Sequence, residues 1–290
     1  MSEDCYQQIL DNYSSFPKQQ RKIADFILTN ISEVIYYPVA RISQDIGVSN
    51  ASIVRFAKLL GFEGFPEFRE ALFKYYKDIF SPSERVKHLI KDFDNSEINY
   101  RSITEKEIHY LQKSISAIDD ARFLGTVDLI CGARRVHILG TGPNEMLGLH
   151  LAFRLRRFKV DVYHHRVGDM RLLEELLALD ENDIGIAYNF YRTAEDLKVF
   201  INVMKRNNIP VVLITDIMTP IIVKDCDYVL CAERGPHGAF HSPLVPMAIT
   251  NALLVGVAHK LDKKAIETLD LLETYRQDYY YNAGSEKSEA

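Results

Sequence analysis

At 290 residues the chain is long for one domain and fits two of roughly 100–200 residues each. Apolar residues make up 47% and charged residues 26%, a globular balance that excludes a disordered chain. Thirty-five basic against 40 acidic side chains leave a net charge of −5, which excludes a basic, polyanion-coating protein but not a small DNA-reading module in an acidic chain.

From Tyr6 to Phe80 apolar residues recur at three and four, and Pro or Gly punctuates short helical stretches. Ser81-Pro82-Ser83 breaks the pattern, because proline ends a helix at or before its predecessor. Glu84 to Ile118 is helical again but more polar and reads as a connector, with Thr104 to Glu107 in the T-x-x-E form of a helix-starting capping box. After Arg134 the rhythm alternates. Short apolar runs (Val136–Leu139, Val160–Tyr163, Ile184–Tyr188, Val211–Ile214, Tyr228–Cys231) are separated by helix-like stretches, which predicts a buried parallel sheet with helices on both faces. Helices are expected from about Ser242 to Leu261 and from Ala265 to Tyr275. The tail from Asn282 onward buries nothing and is expected to fray.

No apolar run reaches the ~18 residues of a membrane span. The longest candidate, Pro246 to Ala258, is interrupted by Thr250 and Asn251; its small residues Ala248, Ala252 and Gly256 suit core packing or a helix pair. The N-terminus carries acid where a secretory signal needs positive charge. Four cysteines form no CxxC pair and are too few for a disulfide scaffold. The expectation is a soluble, cytoplasmic protein.

Val39–Gly61 reads as two helices joined by a tight turn. Gly47 suits the left-handed conformation at the first helix end, and Ser49 is a good N-cap for a second helix from Asn50 to Leu60. On that second helix Ile53, Phe56, Ala57 and Leu60 share one face; Ala51, Ser52, Arg55 and Lys58 share the other. A recognition helix needs this division, with an apolar side to dock and polar, cationic residues free to enter a major groove. The same division serves any helical hairpin with a solvated face. Residues 1–80 hold nine Lys/Arg and ten Asp/Glu, so any basic patch must be local.

The series from Phe16 to Leu28 and from Ile42 to Arg69 resembles the DNA-binding domain of the MurR/RpiR family of bacterial transcription regulators. Val-Ser-x-Ala-x-Ile-Val-Arg-Phe, followed by Leu-Gly-Phe-x-Gly-Phe-x-Glu-Phe, carries the likeness over about residues 5–78. The resemblance implies a helix-turn-helix bundle followed by a sugar-isomerase (SIS) domain. The fold class is then α/β with an all-α N-terminal domain, the second part being a five-stranded parallel α/β/α sandwich. The boundaries read as a DNA-binding domain at 1–80, a connector at 81–119, a SIS-like effector and dimerisation domain at 120–265, and a helix and tail at 266–290. Lys18, Lys22, Ser49, Asn50, Ser52, Arg55 and Lys58 are the candidate DNA contacts, Lys18 and Lys22 acting on phosphates.

Two loops of the second half are candidate ligand sites, because a parallel open sheet binds outside the carboxyl ends of its strands. The first is Gly140-Thr141-Gly142-Pro143-Asn144. The second is Asn189-Phe190-Tyr191-Arg192-Thr193, where Thr193 to Asp196 also has the form of a capping box. SIS domains that hold phosphosugars usually present Gly-x-Gly-x-Ser and Ser-x-Ser-Gly-x-Thr. Here Asn144 stands at the first serine position, and Arg192 replaces the glycine. Arginine grips a phosphate in a bidentate fork, whereas Glu195 and Asp196 at the same helix start oppose an anion. Thr141, Gly142, Asn144, Asn189, Tyr191, Arg192, Thr193, His241 and Ser242 are the effector-site candidates.

An isomerase needs a base near the sugar carbons. Glu174, Glu175, His237 and His241 are candidates, but the glutamates fit a solvated helix face, and Pro236 and Gly238 oppose a helix that would join His237 and His241 on one metal. No catalytic residue, metal or cofactor is expected. The reading is a regulator of sugar or amino-sugar metabolism, with operator DNA and a small anionic, phosphosugar-like metabolite as partners, acting as a homodimer or homotetramer. The alternatives are a phosphosugar isomerase, or a regulator whose SIS domain has lost its ligand and only dimerises.

Overall fold

The computed structural model of the chain describes residues 5–92, 98–166, 168, 170–190, 194–216, 223–235 and 242–285. Its first part is helical: α1 (Cys5–Asn12), α2 (Lys18–Thr29), α3 (Ile31–Val34), α4 (Val39–Ile46), α5 (Asn50–Leu59) and α6 (Phe65–Phe80). The apolar positions spaced at three and four along these helices turn inward. Ile9, Ile23, Ile27, Ile42, Ile53, Phe56, Phe68 and Leu72 are all fully buried in one cluster. Phe56 sits at its centre, with its ring 5.2 Å from Phe16 and 6.2 Å from Phe68, both edge-on. Edge-to-face aromatics add about 0.5–1.5 kcal/mol per pair beyond area burial. This cluster fixes the roll of α5, and hence which residues it offers to solvent.

Next come α7 (Pro82–Asp92) and α8 (Tyr100–Ala117). α8 starts four residues before the expected cap at Thr104. Asn99 Oδ1 accepts from the Ser102 amide and Ser102 Oγ from the Asn99 amide, so these two residues form the reciprocal cap. Thr104, already inside the helix, donates its hydroxyl to the Tyr100 carbonyl. The chain divides into two compact units, the first holding α1–α7 and α8 as far as Lys106, the second holding the rest of α8 and the sheet with its helices.

The second unit is built on a parallel sheet of β1 (Val136–Gly140), β2 (Val162–His165), β3 (Ile184–Asn189), β4 (Val211–Thr215) and β5 (Tyr228–Cys231), in the spatial order β2-β1-β3-β4-β5. β1, β3 and β4 are buried at every position, as continuous apolar strands covered on both faces must be. α9 (Asp120–Gly132), α10 (Glu145–Arg156) and α13 (Leu244–Leu261) pack on one face, α11 (Arg171–Glu175) and α12 (Glu195–Arg206) on the other. The chain ends in α14 (Lys263–Ser285).

Three details differ from expectation. β2 begins at Val162 rather than Val160, because the chain leaving α10 needs a tight turn. Lys159 is left-handed (φ 59°), and the Phe158 and Val160 amides fold back on the Leu155 carbonyl. α14 continues to Ser285, well beyond the expected end at Tyr275, so Asn282 to Gly284 are helical. α13, 18 residues long and apolar enough to cross a membrane by composition, packs as a core helix. It buries Val245, Ile249, Leu253, Leu254 and Val257, and its Thr250 hydroxyl lies 2.9 Å from the buried Tyr188 hydroxyl of β3.

Phe56→Ala removes the ring on which the helical cluster converges. It is expected to destabilise the first unit by about 3–5 kcal/mol in urea denaturation; a loss under about 1 kcal/mol would show that α5 is held by something else.

Candidate functional site

The turn between α4 and α5 forms as its residues dictate. Gly47 takes φ 66°, ψ 42° at the end of α4, a left-handed conformation that costs glycine nothing. Ser49 caps α5, its Oγ accepting from the Ser52 amide at 3.2 Å. Asn50, Ala51, Arg55 and Lys58 are exposed along one side of α5, and Lys18 and Lys22 are exposed on α2. Ser52 departs from the expectation that it faces outward, since only 7% of it is exposed. Its hydroxyl lies 2.9 Å from Ser49 Oγ and accepts from Arg55 Nη2 at 3.2 Å. Ser52 thus positions the Arg55 guanidinium instead of presenting itself. Leu59 is exposed near the polar side, as its angular position on the helix requires.

In the sheet, β1 has β2 on one side and β3 on the other, so the connections leave in opposite directions at the carboxyl ends of β1 and β3. In open α/β sheets ligands bind at such a switch point. Thr141 and Asn189 meet there: Thr141 Oγ1 donates to Asn189 Oδ1 at 3.1 Å, and the Thr141 amide bonds the Tyr188 carbonyl at 3.3 Å. Gly142 (φ 56°) opens a 3-10 turn, Gly142–Asn144, that leads into α10. Asn144 Nδ2 donates to the Thr141 carbonyl at 2.9 Å, so the residue at the usual serine position ties the turn together. Thr141, Asn144 and Asn189 are all buried. The amino end of α10, with its positive dipole end, follows directly on this turn, the Glu145 amide bonding the Gly142 carbonyl.

Of the predicted effector residues, the structure therefore brings together Thr141, Gly142, Asn144 and Asn189. Tyr191, Arg192, Thr193, His237 and His241 lie outside the described residues. Ser242 is half-buried, two residues before α13. Thr193 of the expected capping box lies outside the described residues; α12 starts at Glu195 with Ala194 as N-cap and no side-chain cap. Asp196 instead accepts from the Gly168 amide at 3.1 Å, and Glu195 pairs with Lys198 at 2.6 Å. Both acids of that helix start thus have partners.

Glu174 is exposed, as a solvated face requires. Glu175 is not a plain surface residue: it accepts from His165 in a buried polar chain that periodicity could not reveal. The one available signal was polar His137 inside the otherwise apolar strand Val136–Leu139. Burial pushes the thiols of Cys226 and Cys231 up to about 12 and about 11, so neither offers a thiolate at neutral pH. Among the described residues no cluster of His, Cys, Asp and Glu is arranged to hold a metal ion. A surface cleft among Lys205, Asn208, Lys224, Asp225 and Asp227 flanks the amino ends of β4 and β5, the opposite edge from the switch point.

Gly140 tests the close approach that shapes the loop. A Cβ there would stand 2.8 Å from the Asn144 carbonyl oxygen and 2.8 Å from the Glu145 Cα, both backbone atoms that cannot swing aside. Gly140→Ala is therefore expected to cost about 1–3 kcal/mol in denaturation. An unchanged midpoint would mean that the turn relaxes freely.

Residues 4–78 match the model of the helix-turn-helix domain of the rpiR family, and residues 129–256 match that of the SIS domain. Among solved structures, the Vibrio vulnificus NanR protein complexed with ManNAc-6P is similar over 93% of this chain and 97% of its own, with 20% identity and a TM-score of 0.58. The sugar isomerase domain of an RpiR transcription factor from Sphaerobacter thermophilus is similar over 59% of this chain and 96% of its own, with 21% identity and a TM-score of 0.54. At such identities the structures show the shared fold. The two domain matches, in the order expected from the sequence, make this chain a member of the RpiR family, with a helix-turn-helix domain followed by a SIS domain.

Proposed function

We propose that the protein is a non-enzymatic transcription regulator of sugar or amino-sugar metabolism. Its α5 docks in the major groove of operator DNA, and its SIS domain binds a small phosphosugar-like anion at the β1/β3 switch point. The observation that carries the reading is the pairing of an exposed, Ser49-capped α5 bearing Arg55 with a glycine turn and helix amino end at that switch point. The sugar phosphate in the Vibrio vulnificus NanR complex supports the ligand class. Arg55, held by Ser52, reads a base edge, while Lys18 and Lys22 contact phosphates. Two copies are needed, because one recognition helix reads only a few base pairs. The exposed stripe of Met146, Leu149 and Phe153 on α10 is the surface offered for pairing. A strictly monomeric mass at micromolar concentration, with and without DNA, would remove the dimer.

A bidentate arginine–guanine contact is worth about 1–3 kcal/mol of discrimination. Arg55→Ala is therefore expected to weaken specific binding about 5- to 150-fold in gel retardation of the upstream DNA, with folding intact. Binding that is unchanged at moderate salt contradicts the docking. Lys18→Ala and Lys22→Ala should weaken all sequences alike and flatten the salt dependence.

The mutual bonding of Thr141, Asn144 and Asn189 also suits a second reading, in which the SIS domain only dimerises. Arg192→Ala separates the possibilities in thermal-shift titrations with sugar phosphates, amino sugars and sugar acids. If Arg192 supplies charge to the ligand, the variant loses the shift and keeps DNA binding. If Arg192 fills the pocket, the variant gains a shift that the parent lacks. Failure of both proteins to bind any of these anions leaves the scaffold reading.

A further inference from the structure

Between the sheet and α11, four titratable side chains form an unbroken hydrogen-bonded row. Glu175 Oε2 lies 2.8 Å from His165 Nδ1, His165 Nε2 lies 2.9 Å from His137 Nδ1, and His137 Nε2 lies 3.1 Å from Asp183 Oδ2. The two imidazole rings stack at 18°, and both are buried. The row runs diagonally from the residue before β3, across β1 to the last residue of β2, and out to α11.

The number of protons follows from the geometry. Three contacts between ring nitrogens and their neighbours need three protons, one in each. Two neutral imidazoles bring only two, so without a third proton either two lone pairs face each other or one faces a carboxylate. Asp183 cannot supply it. Burial alone would raise its pKa, but Arg134 donates at 2.9 and 2.7 Å and the Asp180 amide at 2.9 Å, and together with His137 these hold its carboxyl below the usual range. Glu175, with 20% of its side chain in solvent, takes the acceptor position at the outer end of the row.

The surrounding charges fit a single positive charge on the rings. Arg134 balances Asp183 and also meets Asp180 at 3.7 Å, while Arg135 pairs with Asp161 at 2.8 Å. His164 precedes His165 in β2 and Arg166 follows it, and α12 sets the Phe200 ring against His165. Asp183 has Arg134 as its cation, and a shared imidazolium would neutralise Glu175 at the other end of the row. A second proton is a different matter. Burial pushes both rings down, His137 against the pull of Asp183 and His165, beside the His137 ring, to about 4 against the pull of Glu175, so the pair resists a second proton.

We propose that His137 and His165 share one proton between Glu175 and Asp183, and that this buried charge makes the SIS domain's stability greatest near neutrality. Unfolded histidines titrate near ~6.5. Below that, the unfolded chain holds two protons on this pair and the folded chain one, so stability falls as pH drops. Above it, the unfolded chain holds none and the folded chain still one, so stability falls as pH rises until the shared proton is lost. A pair of neutral rings gives a different curve, rising through ~6.5 to a plateau.

The test uses the full chain with ¹⁵N-labelled histidine, observed by long-range ¹H–¹⁵N correlation from about pH 5 to 9, which contains the ~6.5 midpoint. The proposal expects three of the four ring nitrogens of His137 and His165 to carry protons at neutral pH. Two lone-pair nitrogens there would overturn it. Urea midpoints over the same range give an independent reading. Glu175→Gln, which keeps the acceptor but removes the charge, should move the alkaline decline of stability down by about one pH unit or more. An alkaline limb unmoved in that variant, or a plateau in the parent, would show that no shared charge is held there.

Discussion

Burying a parallel sheet on both faces leaves its strand ends as the places where backbone and polar side chains can meet a ligand. The order β2-β1-β3-β4-β5 then selects one place among those ends, because the chain leaves β1 and β3 in opposite directions and parts the covering helices. Thr141 and Asn189 stand at that parting, Gly140 allows the turn to pass close to α10, and the amino end of α10 follows directly on that turn. The chemistry proposed for the domain depends on this topology more than on any single side chain. Asn144, in place of the usual serine, ties the turn from within, its Nδ2 donating to the Thr141 carbonyl.

The N-terminal unit meets its own constraint by other means. A short helix is useful for reading DNA only if its roll is fixed, and Phe56, gripped between Phe16 and Phe68, fixes it from the inside. Gly47 and Ser49 set where α5 begins. Ser52 links the two functions, being buried enough to belong to the packing while its hydroxyl steers Arg55. The net charge of the chain contributes nothing here, since affinity for a polyanion has to come from a few local cations.

Most of this was legible in the sequence because it follows from short-range rules. The period of α5, the left-handed Gly47, the Ser49 cap and the continuous apolar strands each depend on residues within a few positions of one another. What escaped depends on long-range neighbours. Thr104 has the form of a cap, but Asn99 and Ser102 start α8 earlier, and Thr193 to Asp196 has the same form while α12 begins at Glu195. Ser52 falls on the polar side of the helix by angle, yet is buried by what packs around it. The row from Glu175 to Asp183 joins four separate segments, and no local pattern announces such a contact. β2 slipped by two residues because the turn at Lys159 used Val160 to end a helix, a competition that apolar runs alone do not resolve.

The central claim is that one chain couples a DNA-reading helix to a sugar-phosphate site, and coupling is measurable as a reciprocal change in affinity. The most direct measurement is the fluorescence anisotropy of labelled upstream DNA titrated with the full chain at fixed salt, with and without each member of a panel of sugar phosphates. The account predicts that at least one sugar phosphate shifts the DNA-binding curve, typically by about 5- to 150-fold, and that DNA shifts the affinity for that sugar phosphate by the same factor. Binding curves that superimpose for every sugar phosphate in the panel would contradict it.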